Sequence, residues 1–320
     1  MDWQELIDQM ASGSVPALSR LITLVENRAP GWQEAMKRIF PAARNAATIG
    51  ITGHPGSGKS TLTGQLVREL VARGKRVGVI AVDPSSHLSG GAFLGDRVRM
   101  NAVSALEGVY IRSMGSRGAV GGLHQAARDV IKILDAYGKD YILVETVGIG
   151  QDEIDIARVT QIVLLVCAPG QGDAIQYLKA GVMEIADIYV ANKTDLPEAE
   201  LMINNLRALL FCGEAESQAA VSMFKTCAAT GEGISPLMDE IEKRTGTPQR
   251  WNARRRELAI EEVTSLLRER ITALVTSGWA SDPALIGALD ALLDYRTDPY
   301  SLAEDILFKA FPKMLKKGSS

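Results

Sequence analysis

The sequence is poor in the residues that build metal centres and disulfide frameworks. Its 320 residues include three cysteines and three histidines. Cys167, Cys212 and Cys227 lack the close pairing of a zinc site and do not amount to a disulfide scaffold. His54, His87 and His124 are scattered, with no His-rich tract. Charge of either sign is nearly balanced: the net charge is −3 and the isoelectric point about 5.8, which gives no electrostatic reason to expect nucleic acid as a partner. The basic run Arg254-Arg255-Arg256 is followed at once by Glu257, Glu261 and Glu262 and reads as a solvated helix face. No stretch of about 18 apolar residues suggests a membrane span. The N-terminus lacks a basic region followed by an apolar run, so no signal peptide is expected. A cytoplasmic location fits these absences.

Against that background three regions differ in pattern. In residues 1–45 apolar positions recur at helical spacing, with Leu18, Leu21, Ile22 and Val25 on one face and Ser14 and Pro16 as an entry signal. Two or three short helices are expected there. Residues 46–247 alternate short apolar runs with amphipathic segments. The runs are Thr48–Thr52, Val77–Val82, Val109–Arg112, Tyr141–Glu145, Ile162–Val166, Ile188–Ala191 and Met223–Cys227. Continuous apolar runs suit strands buried on both faces of a parallel sheet, with helices as the crossovers. The expectation is a doubly wound, mostly parallel α/β sheet. Residues 248–320 show no strand-like run and read as helices at Leu258–Leu274, Pro283–Leu293 and Leu302–Phe311.

The chemistry is concentrated after the first run. Gly53-His54-Pro55-Gly56-Ser57-Gly58-Lys59-Ser60, then Thr61, forms a complete phosphate-binding loop between a strand and a helix. Such a loop needs glycines because backbone amides must converge on phosphate oxygens. Lys59 is expected at the β- and γ-phosphates, and Ser60 at one Mg²⁺ position. His54 reads as a spacer. Much further on, Asn192-Lys193-Thr194-Asp195 closes an apolar run in the pattern N-K-x-D. A carboxylate in the base plane accepts from N1–H and the 2-amino group of guanine, and adenine would leave it unpaired. Asp195 therefore points to GTP and GDP rather than ATP, with the Lys193 stem over the base. Cys227 and Ala228 follow the next run, where a backbone N–H would face the guanine carbonyl. Asp83 and Glu145 end strand-like runs and so face the crevice of this architecture. They are candidates for Mg²⁺, as is Asp96 in a Gly-rich segment. Gly148 fits an amide that senses the γ-phosphate, and Gln151 is the candidate, by position, for orienting water.

Longer blocks resemble the MeaB/ArgK GTPases: Val82-Asp83-Pro84-Ser85-Ser86, Leu94-Gly95-Asp96-Arg97, Ser116-Arg117-Gly118, Glu145 to Gln151, and Met183-Glu184-Ile185-Ala186-Asp187. The resemblance spans about residues 15 to 270. It implies a G-protein chaperone of adenosylcobalamin-dependent acyl-CoA mutases that gates cofactor delivery and protects or rescues the mutase. It also implies a G domain with helical extensions at both ends, the C-terminal one mediating homodimerisation. By matching position, Asp83 and Asp96 fall in a first switch and Glu145 to Gln151 in a second. Gly170 to Glu184 falls in a third, with Lys179 at its usual lysine. The chain departs from the family pattern at Ala174-Ile175-Gln176, at Tyr177-Leu178 and at Thr160-Gln161. A nickel-insertion GTPase and a P-loop kinase are the competing readings. The missing Cys-x-x-Cys and His cluster count against the first, and the guanine element against the second.

Overall fold

A computed structural model of the chain describes residues 2–84, 102–116, 122–146, 152–170, 183–211, 222–276 and 283–305. It forms two compact units, residues 1–258 and residues 259–320. The first is built on seven strands: β1 (Ala47–Thr52), β2 (Val77–Pro84), β3 (Val109–Ser116), β4 (Tyr141–Thr146), β5 (Ile162–Cys167), β6 (Ile188–Ala191) and β7 (Ser222–Lys225). Their order is β3-β2-β4-β1-β5-β6-β7 and every pairing is parallel. β1, β4, β5 and β6 are buried at every position, which is why they read as unbroken apolar runs rather than alternating ones.

Successive residues of each strand serve opposite layers. Ile80, Val82, Ile142, Val144 and Val163 face one core, with α5 (Gly122–Ala136) and three N-terminal helices, α1 (Trp3–Ala11), α2 (Val15–Glu26) and α3 (Trp32–Ile39). Ile49, Ile51, Val79, Leu143, Leu164 and Val190 face the other, with α4 (Lys59–Ala72) and α8 (Ile234–Thr245). The stripe Leu18, Leu21, Ile22 and Val25 is fully buried, and the Ser14 hydroxyl caps α2 by accepting from the Ala17 amide at 3.3 Å. The remaining helices are α6 (Asp152–Asp155), α7 (Ala199–Phe211), α9 (Pro248–Thr276) and α10 (Pro283–Leu293). No helix among the described residues is long and apolar enough to cross a membrane.

Three details differ from the sequence reading. α9 starts at Pro248, ten residues before the expected Leu258, because proline fits the first helical turn and good helix formers follow it. β7 ends at Lys225, which leaves Cys227 buried in the loop that follows rather than in a strand. Two of the three arginines at 254–256 are not merely solvated: Arg254 donates to the Ala157 carbonyl and Arg255 to Asn45 Oδ1. Of the third expected C-terminal helix, residues 299–305 are helical, and those beyond lie outside the described residues.

The departure at Thr160-Gln161 has a structural account. Thr160 is buried and its hydroxyl donates to the Ile156 carbonyl at 2.8 Å. Gln161 Oε1 accepts from the amide and the hydroxyl of Thr48, both at 2.7 Å. The pair thus ties the start of β5 to β1, at the edge of the sheet away from the phosphate-binding loop.

That same edge carries a buried lysine. Lys139 is 5% exposed and donates to the Gly108 carbonyl at 2.7 Å. Burial first, and then the charge of Arg76, lower its pKa from 10.5 to about 8, against an opposing pull from Asp140. Between those two values the unfolded chain binds more protons than the folded one, so stability contributed here rises with pH through that window. Replacing Lys139→Met should remove this increment. Urea midpoints measured at pH 7.5 and 9.5 should favour the wild type more at the higher pH, whereas a difference independent of pH would contradict the assignment.

Candidate nucleotide-binding site

The sheet changes winding direction around β1, and the loop that follows it leads straight into α4. In doubly wound sheets ligands bind outside the carboxyl ends of the strands at such a point. Gly53 has φ +141°, and a Cβ there would lie 2.2 Å from the Val166 carbonyl oxygen. Gly58 has φ +92°, and its Cβ would lie 2.4 Å from Asn192 Nδ2. Both glycines are therefore required by dihedral and by space. α4 opens without a side-chain cap, leaving its first amides to an anion. Lys59 is buried, and its ammonium donates to the carbonyls of Gly53 at 2.7 Å and His54 at 3.0 Å. It spans the loop it is expected to serve, on oxygens that a phosphate can replace.

On the metal side the structure brings two predicted residues together. Ser60 Oγ donates to Glu145 Oε1 at 2.5 Å, and Thr63 Oγ1 donates to Glu145 Oε2 at 2.8 Å. Glu145 is only 5% exposed and pairs in register with Ile51 of β1 and Ala81 of β2. A hydroxyl and a carboxylate are the hard oxygen donors that Mg²⁺ takes beside phosphate oxygens, so this pair fits the ion. Among the described residues no group of three His, Cys, Asp or Glu side chains forms a metal site of its own. Asp83 lies near the end of β2, its backbone paired with Gly115 of β3. Its side chain lies outside the described residues, as do Asp96, Gly148 and Gln151.

On the base side Asn192 is 1% exposed and its amide is hydrogen-bonded through both nitrogen and oxygen. Nδ2 donates to the Ser57 carbonyl at 2.9 Å; Oδ1 accepts from Thr226 Oγ1 at 3.1 Å and from the Ala228 amide at 3.0 Å. Asn192 thus binds the phosphate loop to the loop after β7. Lys193 adopts φ +58°, and its stem passes 3.9 Å from the point where a Cβ on Gly58 would sit. Asp195 is exposed, and its Oδ1 accepts from the Cys227 thiol at 3.2 Å. Pro55, Gly56 and Thr61 sit in the loop and the first turn of α4 as expected, and Cys227 and Ala228 are buried beside Asp195. Ser57 Oγ is buried with no hydrogen-bond partner, so the loop still holds an unsatisfied polar atom. Cys167 is buried on β5, which pushes its thiol up to about 12 and leaves it an inert apolar side chain.

Sequence reasoning missed three of these side chains. Thr63 lies three residues after Ser60 on one face of α4, a spacing that could have pointed to it. Gln65, which donates to the Ala228 carbonyl at 2.9 Å, carries no local signal; Thr226 opens the Thr226-Cys227-Ala228 stretch read for the base, but nothing local points to its bond with Asn192.

Comparison with known proteins agrees with this geometry. The family profile described as methylmalonyl Co-A mutase-associated GTPase MeaB matches residues 18–280. The chain belongs to the MeaB family. A Pyrococcus horikoshii protein provisionally named a GTPase is 42% identical over 311 residues, covering 95% of this chain and 97% of that one. The GTPase ArgK of Escherichia coli is 40% identical over 195 residues, 60% of this chain and 59% of that protein. A mouse protein named methylmalonic aciduria type A homolog, mitochondrial, is 31% identical over 262 residues, 75% of this chain and 63% of that protein. The solved structure of a LAO/AO transport system kinase shares the fold with a TM-score of 0.68 and 25% identity, covering 95% of this chain and 96% of the other. As a MeaB-family member the chain is a GTPase, hydrolysing GTP to GDP and phosphate.

Because Asn192 holds the two loops together, Asn192→Ala should leave the Ser57 carbonyl and the Ala228 amide unsatisfied. A loss of about 2–3 kcal/mol in unfolding free energy is expected, with guanine-nucleotide affinity weaker by about tenfold or more. Urea unfolding and calorimetric GDP titration check both; unchanged affinity would show that the tie does not shape the site.

Proposed function

We propose that this chain is a GTP-driven chaperone that gates adenosylcobalamin loading of an acyl-CoA mutase, and protects or reactivates that mutase. The observation that carries the nucleotide half is the Ser60–Glu145 pair beneath a complete phosphate loop, joined through Asn192 to the loops bearing Asp195 and Cys227. The mutase half rests on the family description and on the mouse relative's name. The client is methylmalonyl-CoA mutase or a related isobutyryl- or 2-hydroxyisobutyryl-CoA mutase.

In this reading Lys59 leaves the carbonyls of Gly53 and His54 for the β- and γ-phosphates as nucleotide enters. Mg²⁺, when bound, neutralises charge developing on those phosphates; Ser60, Asp83, Asp96 and Glu145 are the residues assigned to hold it. Gly148 senses the γ-phosphate and Gln151 orients water. Asp195 selects guanine, with Lys193 over the base; the amides of Cys227 and Ala228, which here donate to the Glu232 carbonyl and to Asn192 Oδ1, have to leave those acceptors to reach its carbonyl. Ile260, Val263, Leu267 and Ile271 recur at helical spacing on α9 and are exposed. That apolar stripe supports a homodimer through the C-terminal helices, and the free thiols Cys167 and Cys227 fit a cytoplasmic setting.

Turnover by the isolated protein should be slow and should rise by about tenfold or more with the cognate mutase, as partner-stimulated GTPases behave. Phosphate release with each of the three mutases, alone and with Lys59→Ala, tests this. The variant should lose turnover by about a hundredfold. Rapid turnover that no mutase alters would overturn the chaperone reading. ATP displacing labelled GDP at similar concentration would instead favour a kinase.

A further inference from the structure

At the amino ends of β1, β2 and β4, opposite the nucleotide site, three loops bring more cations together than the two carboxylates beside them can balance. Arg44 precedes β1, Arg76 precedes β2 and Lys139 precedes β4. Gly138, at φ +92°, has no side chain beneath them. A Cβ built there would lie 2.1 Å from Arg76 Nη2 and 2.9 Å from Arg44 Nη1, so those two nitrogens sit within about 5 Å of each other. Arg255 joins the group from α9 through Asn45, the residue after Arg44.

Two carboxylates lie close by, and both are engaged with main chain. Asp135 accepts from the amides of Arg44, Asn45 and Ala46 at 2.9, 3.2 and 2.9 Å. Asp140 accepts from the Arg76 amide at 2.7 Å. Among the described residues neither guanidinium of Arg44 and Arg76 has a carboxylate within 4.0 Å. The carboxylates fix the backbone from which the arginines project and leave the two forks open. Gathering like charges is unfavourable, and Asp140 offsets it only in part, since burial and Arg76 still hold the Lys139 pKa down.

We infer that Arg44 and Arg76, with Lys139 below, form an anion site for a phosphoryl group, separate from the nucleotide pocket. A guanidinium presents parallel N–H donors matched to phosphate oxygens. A dianionic tetrahedral group has enough oxygens for two forks and enough charge to balance them, whereas one carboxylate balances only one. Six-residue β1 spans roughly 20 Å, so the site and the phosphate loop lie at opposite ends of the sheet and do not compete. The phosphoryl group belongs either to a small phosphorylated molecule or to a phosphorylated side chain of a protein.

The test uses the full chain saturated with GDP and Mg²⁺, so that the phosphate loop is filled. Side-chain ¹⁵N–¹H signals of Arg44 and Arg76 are followed during titration with inorganic phosphate, with a phosphoserine peptide, with a glutamate-rich peptide, and with chloride at matched ionic strength. Saturable shifts with phosphate are expected, and tighter binding of the phosphoserine peptide would name a phosphoprotein as the source. Arg44→Gln or Arg76→Gln should weaken binding by about tenfold and the double variant should abolish it. Arg76→Lys, which keeps the charge and loses the fork, should give an intermediate loss. GDP affinity of the variants should stay at the wild-type value, and their melting temperature should not fall below it. Equal shifts with chloride, equal or tighter binding of the glutamate peptide, or undiminished phosphate binding by the double variant would each overturn the assignment.

Discussion

The site depends on one buried amide. Asn192 closes β6 and sends its Nδ2 back to the Ser57 carbonyl, while its Oδ1 gathers Thr226 and Ala228 from the loop after β7. The segments proposed to recognise phosphate and base lie more than 130 residues apart, and this side chain ties them together. A buried Asn hydrogen-bonded through both its nitrogen and its oxygen is rigid, because any displacement strands a polar group in the interior. The close approach of Gly58 follows from the same contact, since a side chain there would collide with the Asn192 amide.

The sheet places everything else. Its crossovers bring the ends of β1, β2 and β4 side by side, so that Glu145 meets Ser60 and Thr63 without a loop having to carry it there. The opposite edge is organised by a different logic, in which Asp135 and Asp140 fix backbone amides and Gln161 ties β5 to β1. A nucleotide site at the carboxyl ends of the strands is the placement expected of a doubly wound fold.

Much of this was legible from the sequence because it is local. Buried parallel strands write themselves as apolar runs, and all seven were found to within a few residues. The phosphate loop is a contiguous pattern whose glycines answer to dihedral angle. What stayed hidden is non-local: Gln65 reaching Ala228, Thr226 reaching Asn192, and Arg76 meeting Arg44 across Gly138 are separations no window captures. The start of α9 was misplaced for a simpler reason. Residues 248–257 are mostly polar, with Trp251 the one large apolar side chain, and give no apolar period, yet helix propensity and Pro248 suffice to begin the helix there.

The central claim is that a guanine nucleotide lies between the phosphate loop and Asp195, with Asn192 as the fixed strut. A crystal structure of the protein with GDP and Mg²⁺ tests it most directly. Lys59 Nζ should have moved from the Gly53 and His54 carbonyls onto phosphate, the guanine should lie within hydrogen-bond reach of Asp195, and the Asn192–Ser57 bond should be unchanged. A base lodged away from Asp195, or an Asn192 side chain released from Ser57 to contact the base, would contradict it.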